Sequence, residues 1–262
     1  MRDLRVTIIQ RMLHWEDAAA NRTMFTGILT PLQGATDLVV LPEMFTTGFT
    51  MRSAELAEAM DGPTVAWMRE MARCTGAALY GSIIVREGDR PANRAIFVYP
   101  DGRAHHYDKR HLFRMADEQD HYTAGRERVV VEYNDWRILL QVCYDLRFPV
   151  FSRNRNDYDL ALYVANWPEP RRAAWSTLLK ARAIENLACV VGVNRVGMDG
   201  KGHHYTGDSV VVDQRGEVVA SVEPSTEGIA STRLDSAALL EFRERFPAHL
   251  DADGFTLNDR MP

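Results

Sequence analysis

Four apolar runs of the chain end on side chains that could do chemistry. Leu38–Leu41 runs into Pro42-Glu43, and Ile138–Val142 into Cys143-Tyr144-Asp145. Leu160–Val164 runs into Ala165-Asn166-Trp167, and Cys189–Val193 into Asn194-Arg195. Runs this uniformly apolar read as strands buried on both faces, and open α/β sheets bind ligands beyond the carboxyl ends of their strands. These ends carry a carboxylate, a thiol, an amide and a guanidinium. Lys109, one of only three lysines among 31 basic residues, adds an ammonium in Tyr107-Asp108-Lys109-Arg110-His111-Leu112-Phe113. A free thiol with a pKa of about 8.5 is mostly protonated at neutral pH and needs a base or a positive field to become a nucleophile. A sheltered carboxylate can take its proton. An ammonium can hold the oxyanion of a tetrahedral intermediate. Taken singly, Cys143 is a small core thiol, Glu43 a loop glutamate and Lys109 a solvated cation. Taken together they are what thiol-based amide hydrolysis needs when histidine is not used.

Positioning them takes a mixed α/β chain. Strand-length runs recur at Leu4–Ile9, Leu38–Leu41, Ala78–Val85, Ala95–Tyr99, Val129–Glu132, Ile138–Val142, Leu160–Val164, Cys189–Val193, Ser209–Val212 and Val218–Val222. Between them, Val65, Met68, Met71 and Ala72 form a helical stripe after Gly62-Pro63. Trp175, Leu178, Leu179 and Ala183 form a second, and Asp235 is placed to cap a late helix through Leu239, Leu240 and Phe242. Tyr99–Arg103 and Asp213–Glu217 read as hairpin turns. No linker, repeat or low-complexity tract divides the 262 residues, so one domain over 1–262 is expected. The stretch 247–262 reads as a tail packed on the body or on a partner subunit.

The composition excludes several classes. A net charge of −5 argues against a nucleic-acid binder. No 18-residue uncharged apolar run is present, which argues against a membrane span. Met1–Val6 moves directly into a strand-like run with no room for a signal peptide, and Cys74, Cys143 and Cys189 are too few and too dispersed for a disulfide framework. A cytoplasmic location with reduced thiols is therefore expected. His105, His106, His111, His203 and His204 lack zinc-site spacing, so no metal and no cofactor is expected. No Gly-x-Ser-x-Gly elbow is present. Gly197–Gly202 has some phosphate-loop character but lacks its spacing and reads as a mobile turn.

Leu41-Pro42-Glu43, Tyr107–Phe113 and Cys143-Tyr144-Asp145-Leu146-Arg147-Phe148-Pro149 resemble the three signature segments of the nitrilase superfamily, the carbon–nitrogen hydrolases. Ala181–Asn186 resembles that family's helix before its next strand, and the likeness runs from the first strand to about Val222. The Cys-Tyr-Asp-x-Arg-Phe-Pro form looks most like the ω-amidase branch. The resemblance implies a four-layer α-β-β-α sandwich of two mixed sheets flanked by helices, assembled as a homodimer or homotetramer. It implies Glu43 as general base, Lys109 as oxyanion stabiliser and Cys143 as nucleophile, and the expected mechanism adds a backbone N–H, that of Tyr144, as a second oxyanion donor. Glu118, four residues before Tyr122, fits the family's second glutamate, with Asp117 as its rival. Arg147 stands where that branch places a carboxylate-binding arginine, and Asn166 and Trp167 could line the same pocket. Arg172 and Arg195 are further candidates whose plainer reading is structural pairing. The expected reaction hydrolyses short dicarboxylic acid monoamides such as 2-oxoglutaramate or 2-oxosuccinamate. The alternatives are another branch (nitrilase, N-carbamoyl amidohydrolase or aliphatic amidase) and a non-catalytic interaction protein.

Overall fold

Successive residues of the strands in one sheet pack into two different cores. Leu4, Val6 and Ile8 join one apolar cluster and Ile9 another, and Leu38 and Val40 are likewise split from Val39. Burial on both faces leaves little room for polar residues, which explains the apolar runs of 38–40 and 160–165, while Arg5 in the first strand stays exposed. The computed structural model describes residues 1–86, 88 and 90–257. Its first half runs β1 (Leu4–Gln10), α1 (Ala18–Leu29), β2 (Leu38–Val40), α2 (Ser53–Leu56), α3 (Pro63–Thr75), β3 (Ala78–Arg86), β4 (Pro91–Val98), β5 (Ala104–Asp108) and α4 (Glu118–His121). The second half runs β6 (Val130–Tyr133), β7 (Trp136–Val142), α5 (Pro149–Ser152), β8 (Leu160–Ala165), α6 (Arg172–Asn186), β9 (Cys189–Asn194), β10 (Val196–Met198), β11 (His204–Thr206), β12 (Val210–Val212), β13 (Val218–Ser221), β14 (Gly228–Leu234) and α7 (Ser236–Arg245).

Two six-stranded mixed sheets result, ordered β14-β1-β2-β3-β4-β5 and β13-β12-β9-β8-β7-β6. Leu4, Val40, Tyr80 and Phe97 of the first face Ile138, Leu140 and Leu162 of the second in a shared core. Phe25 and Leu29 of α1, with Val65, Met68 and Ala72 of α3, cover the outer face of the first sheet. Trp175, Leu179 and Ala183 of α6 cover the second. Gly192 on β9 permits that approach, because a Cβ there would sit 2.4 Å from the Leu179 side chain. The architecture is the expected α-β-β-α sandwich.

All ten expected strand runs coincide with strands, and both hairpin turns lie between antiparallel pairs, β4–β5 and β12–β13. Pro63 opens α3, Gly76 closes it in the left-handed conformation, and Asp235 accepts from the Ala238 N–H at 2.9 Å to cap α7. Helix α1, the short helices α2, α4 and α5, and strands β10, β11 and β14 escaped the patterning. Within Gly197–Gly202, Gly197 and Met198 belong to β10, and the turn that follows joins β10 to β11. Of the tail, residues 258–262 lie outside the described residues. The rest returns to the body, with Leu257 against the shared core and Phe255 beneath the Arg155 guanidinium at 4.6 Å.

Candidate active site

Glu43 leaves β2 through a turn that its neighbours fix. Met44 takes a positive φ of 42°, and its N–H donates to Ser82 Oγ at 2.9 Å. The Glu43 carboxylate is fully buried. Its Oε1 accepts from Asn93 Nδ2 at 2.8 Å and Lys109 Nζ at 3.0 Å, and its Oε2 from the Asn166 N–H at 2.7 Å. Asn166 Nδ2 returns to the Glu43 carbonyl at 2.6 Å. Asn166 thus clamps Glu43 from both ends while also lining the cavity.

Lys109 follows β5, with its N–H on the Asn93 carbonyl at 2.9 Å. Its ammonium contacts Glu118 Oε1 at 3.0 Å and Oε2 at 2.9 Å in addition to Glu43, and it lies 5.1 Å over the Phe49 ring. Burial works against this charge, but Glu118 and Glu43 outweigh it and hold the ammonium well above its ordinary pKa. Burial raises the Glu118 carboxyl, with Lys109 pulling it back. Glu118 Oε2 also accepts from the Phe113 N–H at 2.6 Å. The rival Asp117 is exposed and turns toward the cavity mouth, so the carboxylate that meets Lys109 is Glu118.

Cys143 follows β7 at a positive φ of 48°, opening a 3-10 turn that ends at Arg147. Burial pushes the thiol well above its ordinary pKa, the Glu43 charge adds to this, and Lys109 opposes it. Burial and the Glu43 charge thus favour the protonated thiol over the thiolate. The Tyr144 N–H belongs to the first turn of that 3-10 segment, whose donors have no partner within the turn.

Sequence reasoning missed the residue beneath this elbow. Asp145 is fully buried, and its Oδ2 accepts from the Val142 N–H at 2.9 Å and the Tyr107 hydroxyl at 2.8 Å. Its Oδ1 accepts from the His111 N–H at 3.0 Å and pairs with His111 Nδ1 at 2.7 Å. One carboxylate thus ties the cysteine elbow to the lysine segment. Asp145→Asn would turn an amide NH₂ toward two of these donors. It is expected to cost about 2 kcal/mol or more of stability, read by denaturant unfolding, and to lower turnover with it. Unchanged stability would remove Asp145 from this role.

A cavity of about 340 Å³ opens above the four heads, lined in part by Lys109, Cys143, Tyr144, Asn166 and Trp167. Arg147 reaches it with its guanidinium 5.0 Å over the Trp167 ring. The β10–β11 hairpin supplies a further wall through Asp199, Lys201, His203 and Tyr205. Arg172 instead pairs with Asp208 at 2.7 Å on the surface. Arg195 is fully buried behind Tyr205, its Nη2 donating to the Met198 carbonyl at 2.9 Å. Both follow the structural reading. Among the described residues, no group of three His, Cys, Asp or Glu is placed to hold a metal ion, and no helix is long and apolar enough to cross a membrane.

A thiol, an ammonium and two carboxylates gathered at the strand ends of a two-sheet sandwich define a class. The family model described as carbon-nitrogen hydrolase matches residues 6–244, and the chain belongs to that family of hydrolases. Among its relatives is omega-amidase YafV of Escherichia coli K12, 52% identical over 257 residues, which span 98% of this chain and 100% of that protein. The 2-oxoglutaramate amidase of Bacillus subtilis is 32% identical over 82% of this chain and 84% of its own length. XC1258 from Xanthomonas campestris, a CN-hydrolase superfamily protein solved with an arsenic adduct in its active site, superposes with a TM-score of 0.97. It is 51% identical and covers 98% of this chain and 100% of its own.

Proposed function

We propose that this chain is a thiol-dependent ω-amidase that hydrolyses the terminal amide of short dicarboxylic acid monoamides, such as 2-oxoglutaramate or 2-oxosuccinamate. The observation that carries the reading is Arg147. It lines the cavity at the far end of the turn that Cys143 opens, 5.0 Å over the Trp167 ring, with no carboxylate partner among the described residues. A guanidinium so placed pairs bidentately with a carboxylate. The full-length likeness to an omega-amidase and the match to a 2-oxoglutaramate amidase point the same way.

In the reaction, Glu43 takes the Cys143 proton and the thiolate attacks the amide carbon. Once protonated, Glu43 is a poorer acceptor for Lys109 Nζ. The ammonium is then free to meet the oxyanion together with the Tyr144 N–H. Glu43 returns its proton to the leaving nitrogen, the carbon–nitrogen bond breaks and ammonia departs, leaving a thioester. Glu43 next takes a proton from water as that water attacks the thioester, and the sulfur leaves and is reprotonated. Glu118 holds Lys109 in register throughout. Trp167 supports Arg147, and Asn166 keeps Glu43 aimed. We read residues 1–262 as one domain, working in the cytoplasm as a homodimer or homotetramer.

The test is ammonia release from a panel of ω-amides, neutral amides, nitriles and N-carbamoyl compounds, for the wild type and Arg147→Ala. The ω-amides are expected to lead the panel. The substitution is expected to raise KM for the anionic amides by about tenfold to a hundredfold while changing KM for neutral amides far less. A panel led by nitriles or carbamoyl compounds would replace the reading with another branch of the family.

A further inference from the structure

The cavity mouth holds a second guanidinium that the reaction above does not use. Arg171 lies half-buried at the end of a short 3-10 turn, Glu169–Arg171, and lines the same cavity as Cys143. Its guanidinium sits 5.1 Å over the Phe113 ring, as that of Arg147 sits 5.0 Å over Trp167. Its Nη2 points at Met115 Sδ, 3.5 Å away, and a thioether is a weak acceptor. No carboxylate pairs with it among the described residues. Asp199, on the cavity wall, is already occupied by the N–H groups of Lys201 and His203 and the Tyr205 hydroxyl, each at 2.9 Å. The Trp167 indole N–H donates to the Arg171 carbonyl at 2.8 Å. The ring that carries one guanidinium thus fixes the backbone of the other. In a chain of net charge −5, Arg147, Arg171 and Lys201 line the mouth beside Asp117 and Asp199.

A plain carboxylate presents two oxygens, and one guanidinium edge satisfies both. A 2-oxo carboxylate presents a third on the adjacent carbon, and that oxygen needs a separate donor when it leaves water. A site built to hydrogen-bond an oxygen rejects the analogue lacking it, because the site's own donor is then left unpaired. We propose that Arg171 is a specificity-determining residue that shares the 2-oxo carboxylate with Arg147 and makes the enzyme prefer ω-amides of 2-oxo acids over their plain counterparts. The proposal rests on the ω-amidase reading of the same site.

The test compares kcat and KM for 2-oxosuccinamate and succinamate, which differ only at the oxo carbon. The wild type is expected to favour the oxo compound. Arg171→Gln is expected to lower the ratio of the two kcat/KM values by about tenfold to a hundredfold, mostly through KM. Arg171→Lys should restore part of the ratio, because it returns a charged donor. Lys201→Gln should leave the ratio in place. A wild type that cleaves both amides equally well keeps the ω-amidase reading and overturns the role of Arg171. So does an Arg171→Gln enzyme that keeps its preference, or a ratio that collapses in Lys201→Gln instead. A wild type that releases ammonia from neither amide overturns both.

Discussion

Cys143→Ala releases ammonia from an ω-amide at least about 10⁴-fold more slowly than the wild type, the scale of loss that follows removal of a covalent nucleophile. The fold survives the change. Alanine meets the same left-handed backbone at 143 that cysteine already tolerates, with φ at 48°. The hydrogen bond from the Cys143 thiol to the Asn166 carbonyl is long at 4.0 Å. Unfolding of the two proteins should therefore agree within about 1 kcal/mol. Burial and the Glu43 charge raise the thiol pKa, so the proposed mechanism relies on proton removal by Glu43 rather than on a standing thiolate. Glu43→Gln should accordingly lose turnover while keeping the thiol. Intact-mass analysis of wild-type enzyme mixed with substrate should show an acyl group on Cys143, absent from Cys143→Ala. Wild-type turnover by Cys143→Ala would end the thioester mechanism.

What was legible in the sequence is what sits in a local segment. Cys143 directly follows an apolar strand run and Glu43 follows one after Pro42, whereas Lys109 follows the polar strand Ala104–Asp108 and stood out as one of only three lysines. Asn93 was not legible. It reaches Glu43 only because β4 pairs antiparallel with β3 and β5 in a particular register, with Asn93 opposite Ile84. The bonds from Asp145 to Tyr107 and His111 likewise join segments more than thirty residues apart. Helix α1 hid because its buried residues, Asn21, Phe25 and Leu29, form a thin stripe headed by an asparagine. That asparagine donates to the His14 and Thr46 carbonyls, a tertiary task no periodicity reveals. Strand β14 hid because it is an edge strand, with Ile229 and Arg233 facing outward between small residues. The wall formed by Asp199, Lys201 and Tyr205 was missed because the glycines around it signal a turn whatever that turn later faces. Glu118 could be separated from Asp117 only by burial, which the spacing of neighbouring residues does not encode.

Lys109→Met should damage stability and chemistry together, and the two can be pulled apart. The ammonium is fully buried between Glu43 and Glu118, both fully buried as well. Methionine keeps most of the volume and removes the charge. Two carboxylates then share a water-poor site with no counter-ion, and breaking a buried pair from one side costs about 3–5 kcal/mol. Turnover should fall by at least about 10²–10³-fold from the lost oxyanion contact alone. The pH dependence has a definite sign. Burial already holds the Glu118 carboxyl above its ordinary value of 4.5, and Lys109 is what pulls it down. Without the lysine the carboxyl rises further and its neutral form is favoured in the folded state. A group raised on folding contributes its stability at low pH and loses it as pH climbs through the folded value. The variant should therefore lie nearest the wild type in mild acid and fall further behind toward neutral pH, as read by urea midpoints across that range. Adding Glu118→Gln to Lys109→Met removes one of the stranded carboxylates. It should recover a large part of the lost stability and none of the lost turnover. If the double variant were no more stable than Lys109→Met, the damage would come from packing around the methionine rather than from charge, and the electrostatic account of this cluster would fail.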